Sequence, residues 1–258
     1  MPDARQIVDR WFSLRLGVSV ADLLAGQVAV ATCDRRTCRE LSYGFIRLLW
    51  IVHFGDRAVI SVHPAVLAEV SRLAWQLKPD EVMQHEFYSE LAALLQAALP
   101  AVEARRDVED FTLYHPGSAS AVPTDGEVRA LTRADRDRWV GKRVYWSGAG
   151  HPSVLRGEAF GLFLGDRLIA EVITHDPPVA EMADLVAADG IGVAEEYRRR
   201  GYGKALLAAW TREMQARGRV CVHSTSVDNA ASIALARSVG YVEYARTRTV
   251  SYRPPEEK

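Results

Sequence analysis

In the second half of the chain, apolar residues recur with the two-residue period of strands in some segments and with the 3.6-residue period of helices in others. Short apolar runs and alternations predict β-strands at 127–132, 159–164, 167–173, 185–193, 220–225 and 241–252, with Gly165-Asp166 as the turn of a hairpin. Helical spacing predicts helices at 202–217 and 230–239, and a short helix that Thr132 or Asp135 caps and that ends at Trp139. Residues 141–157 are predicted to be a loop. The order of elements, β-α-β-β-β-α-β-α-β, predicts an α/β fold.

The first half of the chain also mixes the two periods. It contains strand-like segments at 27–32 and 58–62, an apolar run at 45–52, and amphipathic helical patterns at 64–77 and 87–99. Residues 116–126 are rich in Pro, Gly and Ser, which is typical of a linker. We therefore predict an N-terminal α/β domain at 1–115, a linker at 116–126 and a second domain at 127–253.

Composition excludes several classes of partner and location. The chain has 258 residues, 48% of them hydrophobic and 25% charged, and a net charge of −1. Such a balance gives no field that recruits nucleic acid, and the apolar runs are too short to predict a membrane span. The N-terminal residues show no signal-peptide pattern. Cys33, Cys38 and Cys221 have no metal-ligand spacing, so free thiols in a reducing cytoplasm are the favoured interpretation over a Cys33–Cys38 pair or a metal site.

The most informative segment is 193–207, VAEEYRRRGYGKALL, where a predicted strand leads into a predicted helix. Glycines at 201 and 203 let the backbone approach a ligand closely and point successive N–H groups in one direction. Those groups lie at a helix N-terminus, where unpaired donors and the helix dipole favour an anion. Arginines at 198–200 and Lys204 add positive charge. The segment therefore predicts a site for a pyrophosphate group.

The spacing of these residues, Arg198-x-x-Gly201-x-Gly203, resembles the R/Q-x-x-G-x-G/A loop of the GNAT superfamily of acetyltransferases. It differs from the phosphate loop of nucleotide hydrolases and from the Rossmann fingerprint. A second segment, which runs from Asn229 through Ser232 to Gly240-Tyr241, is similar to the helix-then-strand motif of the same family. The resemblance implies a mixed, twisted sheet with helices on both faces, in which the central parallel strands splay apart. It also leaves the first domain open, either as a degenerate GNAT-like half or as an unrelated α/β cap.

The resemblance implies acetyl-CoA as the cosubstrate and assigns its contacts residue by residue. The implied cofactor-binding residues are Ile191, Gly192, Val193, Arg199, Arg200, Gly201, Tyr202, Gly203, Lys204, Asn229 and Ser232. The first three would bond the pantetheine arm through their backbone, and the run from 199 to 204 would hold the pyrophosphate. Asn229 is also a strong helix N-cap, and the two roles are compatible.

The residues that would move protons are less clear from the sequence. Many relatives carry a glutamate and a tyrosine at the positions that are Ser224 and Ala236 here, and neither replacement can act as their acid or base. The first candidate is Asp189, which shares a strand face with Ile191 and Val193. The second is His223, which lies on the next strand.

Other residues are weaker candidates for proton transfer or for lining the acceptor pocket. His151 is a third proton-transfer candidate, and Asp184 is off the parity of Asp189. The aromatic residues Trp139, Tyr145 and Trp146 either line an acceptor pocket or pack in the core. Tyr241 and Tyr244 are most simply core or strand-face residues.

The sequence thus predicts a cytoplasmic N-acetyltransferase that moves an acetyl group from acetyl-CoA to a primary amine, expected to be that of a small molecule. Two alternatives stay open. One is a module that binds or senses acyl-CoA without catalysis, which the absent glutamate and tyrosine would explain. The other is an acetyltransferase for protein or peptide amines. A homodimer is compatible with the sequence, and no metal site is predicted.

Overall fold

The computed structural model describes residues 3–40, 44–100, 102, 105–141, 151–175 and 179–254. They form two compact units. One unit comprises Val8–Thr112 with Glu243–Lys258, and the other comprises Met1–Ile7 with Leu113–Val242. The last predicted strand therefore groups with residues 8–112 rather than with the predicted second domain. The division into domains at 116–126 stays a prediction.

The unit that contains residues 8–112 is built on five strands in the order β1-β3-β2-β10-β4. The strands are β1 (Val28–Ala31), β2 (Ile46–His53), β3 (Ala58–Val62), β4 (Arg105–Tyr114) and β10 (Val242–Tyr252). Strands β1 and β3 are parallel, whereas β2 is antiparallel to both β3 and β10. The helices are α1 (Ala4–Leu16), α2 (Val20–Leu23), α3 (Leu67–Ala74) and α4 (His85–Ala98).

The core of this unit lies between the sheet and the helices α3 and α4. Buried β-branched and aliphatic side chains of β2 and β3 pack against Val70, Leu91 and Leu95. The helical pattern predicted at 87–99 is confirmed as α4. The pattern at 64–77 forms a 3₁₀ turn, Pro64–Val66, followed by α3. The turn arises because Pro64 lacks an N–H and so suits a helix start, where His63 Nδ1 accepts the N–H of Ala65.

Two elements of this unit were not predicted. Helix α1 buries Val8, Trp11, Phe12 and Leu16, which is helical spacing, but Asp9, Ser13 and Arg15 are buried too and obscure the amphipathic pattern. Strand β4 was missed because half of the residues in its sequence, RRDVEDFTLY, are charged. Charged residues disfavour a strand by propensity, which tertiary pairing overrides here.

The unit that contains residues 113–242 holds five strands in the order β9-β8-β7-β6-β5. They are β5 (Glu127–Ala130), β6 (Phe160–Leu164), β7 (Arg167–His175), β8 (Val186–Val193) and β9 (Val220–Ser226). Strands β5 to β8 are antiparallel to their neighbours, and β8 is parallel to β9. The helices are α5 (Pro152–Leu155), α6 (Tyr202–Ala216) and α7 (Ala230–Val239). The predicted mixed α/β sheet is confirmed.

Most predicted bounds in this unit agree with the structure within two residues, and two differ. The predicted short helix that ends at Trp139 is a 3₁₀ turn, Arg133–Arg138, and Thr132 and Asp135 cap it reciprocally. Within the predicted loop at 141–157, residues 142–150 lie outside the described residues. The prediction is wrong at 152–155, where α5 forms because Pro152 suits a first helical position and His151 caps it.

The 116–126 segment is irregular, as predicted, and it is anchored to α6. The backbone N–H of Ala119 donates to the side chain of Gln215 at 2.9 Å, and the amide nitrogen of Gln215 donates to the carbonyl of Gly117. His115 Nδ1 lies 2.7 Å from the same carbonyl. These bonds hold the segment against the helix, so it is an ordered connection within this unit.

Gly161 in β6 lies where a side chain cannot fit. A β-carbon there would lie 2.5 Å from Leu168 Cδ1 and 2.6 Å from Leu131 Cδ2. We expect Gly161→Ala to lower the free energy of unfolding by about 1–3 kcal/mol because it overpacks this core. The change in the free energy of unfolding is measured by denaturant titration. The control is Gly117→Ala, since a β-carbon at Gly117 meets no atom within 4 Å; equal losses for both variants would contradict the packing argument.

Candidate functional site

Strands β8 and β9 part from each other in the middle of their length. Their parallel pairing runs from Val186–Val220 to Ala188–Val222. Strand β8 nevertheless continues to Val193 and stays paired with β7 as far as Ala170–Val193. One edge of β8 is therefore no longer paired with β9 beyond Ala188, which is the splay that the resemblance implies.

Backbone direction decides which residues of β8 face that open edge. The N–H of Ala194 donates to the carbonyl of Ile169 on the β7 side. Because backbone groups alternate sides along a strand, Gly192 also directs its groups to β7, whereas Ile191 and Val193 direct theirs to the open edge. The side chain of Arg198 donates to the carbonyl of Val193 at 3.1 Å, which agrees with that assignment. Of the three predicted pantetheine contacts, two present their backbone groups to this edge.

The loop after β8 has the backbone shape that anion binding requires. Among the described residues other than glycine, Arg199 has the only positive φ, 60°, and Gly201 has φ 86°. Alternation of this kind gathers N–H groups into a concave nest. Gly201 is the N-cap of α6 and offers no side chain to cap it, and the first turn of the helix carries no acidic residue. The positive end of a 15-residue helix therefore faces outward here.

The predicted phosphate-binding side chains surround that helix start. Arg198, Arg199 and Arg200 are exposed, and Lys204 is half-buried. Tyr202 is buried, and its hydroxyl lies 3.4 Å from a carboxylate oxygen of Asp125. That carboxylate and burial raise the pKa of Tyr202, burial being the larger cause. Tyr202 thus packs beneath the loop, and the basic side chains are the groups left to meet an anion.

Gly203 brings α6 close to β8. A β-carbon there would lie 3.2 Å from Val193 Cγ2 and 3.6 Å from Leu235 Cδ2 of α7. A larger residue would require these side chains to shift by a few tenths of an ångström. Space above Gly201 is different, because a β-carbon there meets nothing within 4 Å. The two glycines therefore serve close packing at 203 and backbone shape at 201.

Helix α7 begins on the other side of the open edge. Asn229 is its N-cap, and the side-chain oxygen accepts the N–H of Ser232 at 3.1 Å. Its predicted second role, a contact with the cosubstrate, stays a prediction. Ser232 and Leu235 are three residues apart and therefore share a helix face. Since Leu235 lies near Gly203 and Val193, that face looks toward the open edge.

Asp189, His223 and Ser232 form one hydrogen-bonded line at the point where the strands part. His223 Nδ1 lies 2.9 and 3.0 Å from the two carboxylate oxygens of Asp189, and His223 Nε2 lies 2.8 Å from Ser232 Oγ. Asp189 and His223 are the next register positions after Ala188–Val222. A side-chain pair therefore replaces the backbone ladder there. The ionised carboxylate only accepts, so Nδ1 donates to it, and Nε2 of the neutral ring accepts from the hydroxyl of Ser232.

The environment of His223 favours its charged form. Burial lowers its pKa, but the charge of Asp189 and the hydrogen bond to it together outweigh burial, so the pKa lies above the usual 6.5. The side chain of Asp189 is 0% exposed and that of His223 is 4% exposed. Asp189 therefore lies behind His223, and the imidazole separates its carboxylate from Ser232.

The remaining sequence candidates lie in other environments. His151 caps α5 through Nδ1, which is 2.7 Å from Ser153 Oγ, and Asp184 is exposed before β8. Tyr241 is buried and bonded to Thr211 at 2.8 Å, and its ring and that of His223 are in a T-shaped arrangement with centroids 6.2 Å apart. Tyr244 donates to Asp9 at 2.6 Å within the other unit. Trp139 is half-buried beside β7, and Tyr145 and Trp146 lie outside the described residues.

Sequence reasoning did not place Ser232 beside His223. It assigned the serine only to the cosubstrate contacts that the resemblance implies. The pattern that could have indicated it is the alternation of side chains between the two faces of a strand. His223 is buried and Ser224 is exposed, so they point to opposite faces of β9, and only His223 can turn toward α7.

Comparison with known proteins identifies the family. The model of the acetyltransferase (GNAT) family matches residues 88–241, which is more than half of the chain. The chain belongs to the GNAT acetyltransferase family. The matched region begins within the segment predicted to be a separate first domain, at α4. No curated protein matches the chain.

Solved structures resemble the chain at low identity. A GNAT-family protein from Novosphingobium aromaticivorans is 23% identical with TM-score 0.46, covering 58% of this chain and 66% of that one. A GNAT acetyltransferase from Colwellia psychrerythraea is 18% identical with TM-score 0.44, covering 63% and 61%. A Salmonella typhimurium protein described with its cofactor acetyl-CoA is 14% identical with TM-score 0.37, covering 52% and 98%. The chain spans less than two thirds of the length of the first two.

Within the part of the chain that the structure describes, no group of three or more His, Cys, Asp or Glu side chains is arranged to hold a metal ion. No helix among the described residues has the length and apolar character needed to cross a membrane. Cys33, Cys38 and Cys221 are free cysteines.

The loop at Gly201 generates a prediction about anion binding. We expect Gly201→Asp to weaken acetyl-CoA binding by at least roughly tenfold, about 1.4 kcal/mol, since it places a negative side chain at the helix start and strains a positive φ. Isothermal titration calorimetry measures the affinity. Gly165→Asp is the matched control: Gly165 has φ 58° and open space around it, in the β6–β7 turn. Unchanged affinity in a folded Gly201→Asp protein would remove the loop from the binding site.

Proposed function

We propose that this chain is an N-acetyltransferase that moves the acetyl group of acetyl-CoA to a primary amine. The proposal rests on the Asp189–His223–Ser232 line, because it places a titratable imidazole at the apex of the splay between β8 and β9. The residues present also fit the cosubstrate. An uncapped, basic helix start suits a diphosphate, and the open edge of β8 offers backbone groups to an extended amide chain.

The direction of the cosubstrate follows from these two features. The diphosphate would lie at the Gly201 end, beyond Val193, and the pantetheine arm would run back along β8 toward Asp189. From Val193 to Asp189 the strand rises about 13 Å. The thioester end would then lie near His223 and Ser232, at the apex of the splay. This places the reacting carbonyl beside the one buried imidazole that is held by a carboxylate in this part of the described structure.

His223 would act as the general base and Asp189 as the residue that positions it. An amine is protonated near neutral pH and must lose a proton to attack the thioester. Asp189 cannot receive that proton directly, since its carboxylate is buried behind the ring. It holds the imidazole with Nε2 outward and stabilises the positive charge that develops there. The sequence ranked Asp189 before His223 as the base. In this proposal the ranking is reversed, because the histidine contacts the substrate and the aspartate orients the histidine.

The acceptor that we propose is a small molecule, and the location is the cytoplasm. The net charge of −1 and the absence of a tract of one charge favour a small acceptor over a nucleic acid or another charged polymer. Three free cysteines are compatible with a reducing compartment. An acyl-CoA sensor without catalysis would have no use for a buried aspartate–histidine–serine line, so we favour the enzyme.

The role of His223 is tested by a pH profile of amine acetylation, with thiol release as the readout. Because the base must be neutral, we expect kcat/KM to rise with pH through a pKa above 6.5. His223→Gln should lower turnover by about 10²- to 10⁴-fold and leave acetyl-CoA affinity unchanged. Asp189→Asn should lower turnover and move the rising limb to lower pH, since the charge that raises the pKa of His223 is gone while burial, which lowers it, remains.

Ser224→Ala is the matched control, because Ser224 is the neighbouring residue on the opposite face of β9. It should keep the profile of the wild type. Full turnover in folded His223→Gln with a broad panel of amines would sink the assignment of the base. Absence of both acetyl-CoA binding and acetylation in the wild type would sink the proposed function itself.

A further inference from the structure

In the Asp189–His223–Ser232 line, Ser232 stands where a carboxylate–imidazole–nucleophile triad has its nucleophile. Asp189, His223 and Ser232 are joined in that order by bonds of 2.9 and 2.8 Å, through opposite nitrogens of one imidazole. The carboxylate fixes the tautomer, the imidazole accepts the hydroxyl proton, and the oxygen of Ser232 becomes more nucleophilic as that proton leaves. Direct attack by an amine needs a base and a proton for the leaving thiolate, so in a direct transfer Ser232 would serve only as a proton donor. In this line its oxygen can itself attack the carbonyl.

The position of Ser232 in α7 supports the same role. Ser232 is half-buried, whereas His223 and Asp189 are buried, so the hydroxyl is the part of the line nearest to the groove. Its side chain shares a face with Leu235, which lies near Val193 at the open edge of β8. Ser232 also lies in the first turn of α7. The Asn229 side chain accepts the N–H of Ser232, and the N–H groups of Ala230 and Ala231 lie at the same positive helix end.

These observations meet the geometric requirements of covalent acyl transfer. A nucleophile is bonded to a base, and the base is bonded to a residue that orients it. The N–H groups of the first turn of α7 are the donors that would meet an oxyanion formed at Ser232. Ser224 and Ala236, which stand where relatives carry a glutamate and a tyrosine, supply none of these functions. The line is therefore complete without the acid–base pair of those relatives.

We propose that Ser232 is acylated by the thioester, which rests on the proposed use of acetyl-CoA, and that the amine is acetylated from the resulting serine ester. In the first step Ser232 Oγ bonds to the carbonyl carbon while its proton passes to His223. The carbon–sulfur bond breaks, and the thiolate takes that proton from His223 and leaves as CoA. In the second step the amine nitrogen attacks the ester carbon and gives a proton to His223. The carbon–oxygen bond breaks, and His223 returns the proton to Ser232.

The ester also gives the protein a second activity. Water that reaches the acyl-serine in place of an amine would hydrolyse it by the same proton transfers, releasing acetate. We therefore expect slow, amine-independent hydrolysis of acetyl-CoA that depends on Ser232. A direct transfer would place no covalent intermediate in the path of water, so this reaction separates the two mechanisms.

Exchange of labelled CoA into acetyl-CoA, with no amine present, detects the acyl-serine even when it does not accumulate. We expect exchange in the wild-type full chain, parallel initial-velocity lines with amine, and an acetyl group on Ser232 after acid quench and peptide mapping. Ser232→Ala should lose exchange, hydrolysis and labelling by about 10²-fold or more. Exchange is compared at saturating acetyl-CoA, because Ser232 is also an implied cosubstrate contact, and the variant should keep its thermal unfolding midpoint. Ser232→Cys, which retains a nucleophile, should restore exchange with the acetyl group on sulfur.

Ser238→Ala is the matched control, since Ser238 is on the same helix and bonds only to the carbonyl of Leu235 among the described contacts. It should behave as the wild type. Intersecting lines, no exchange, and full amine acetylation by Ser232→Ala would overturn the acyl-serine while leaving the proposed function intact. Failure of the wild type to bind acetyl-CoA in calorimetry would instead overturn the proposed function.

Discussion

The parting of β8 and β9 after Ala188–Val222 is the constraint on which the candidate site depends. Parallel strands that separate leave backbone donors and acceptors without partners, and buried groups of that kind destabilise a fold. Two features lie along this unpaired edge. Asp189 and His223 bridge the strands by their side chains at the first unpaired register position. Further along, Ile191 and Val193 face a groove in which a ligand backbone could pair with them.

The helices on either side make that groove usable. Gly203 lets α6 approach Val193 to contact distance, and Gly201 begins the helix without a side-chain cap, so its positive end faces outward. Helix α7 presents Ser232 and Leu235 to the same groove and is itself capped by Asn229. The N-terminus of α7 is thus capped by a side chain, whereas the N-terminus of α6 is uncapped and available to an anion. In the proposed function, that asymmetry would set the polarity of the cosubstrate, with phosphate at one end of β8 and the reactive carbonyl at the other.

Local signals explain what the sequence could predict. Glycines at 201 and 203, the basic run before them and the Asn229 cap act within a few residues, so their roles follow from backbone chemistry. Partnerships between distant segments do not. Asp189 and His223 were each candidates, but their contact depends on the register of two strands 34 residues apart, which no local pattern specifies. The same limit hid β4, whose charged sequence pairs against its propensity, and the assignment of the last strand to the unit of residues 8–112.

Ser224, where the resemblance implies a glutamate in many relatives, has a titratable neighbour one residue earlier. Side chains alternate along β9, so a base at 224 would lie on the exposed face, whereas His223 lies on the buried face that looks toward α7. A base on that buried face has little contact with solvent, so a hydrogen-bond partner within the protein must orient it and favour its charged form. Asp189 supplies this partner because the strands remain in register up to the preceding pair. The proposed base and the splay of the strands are therefore linked. Asp189 and His223 bridge the two strands by their side chains at the register position where the backbone pairing ends and the groove opens.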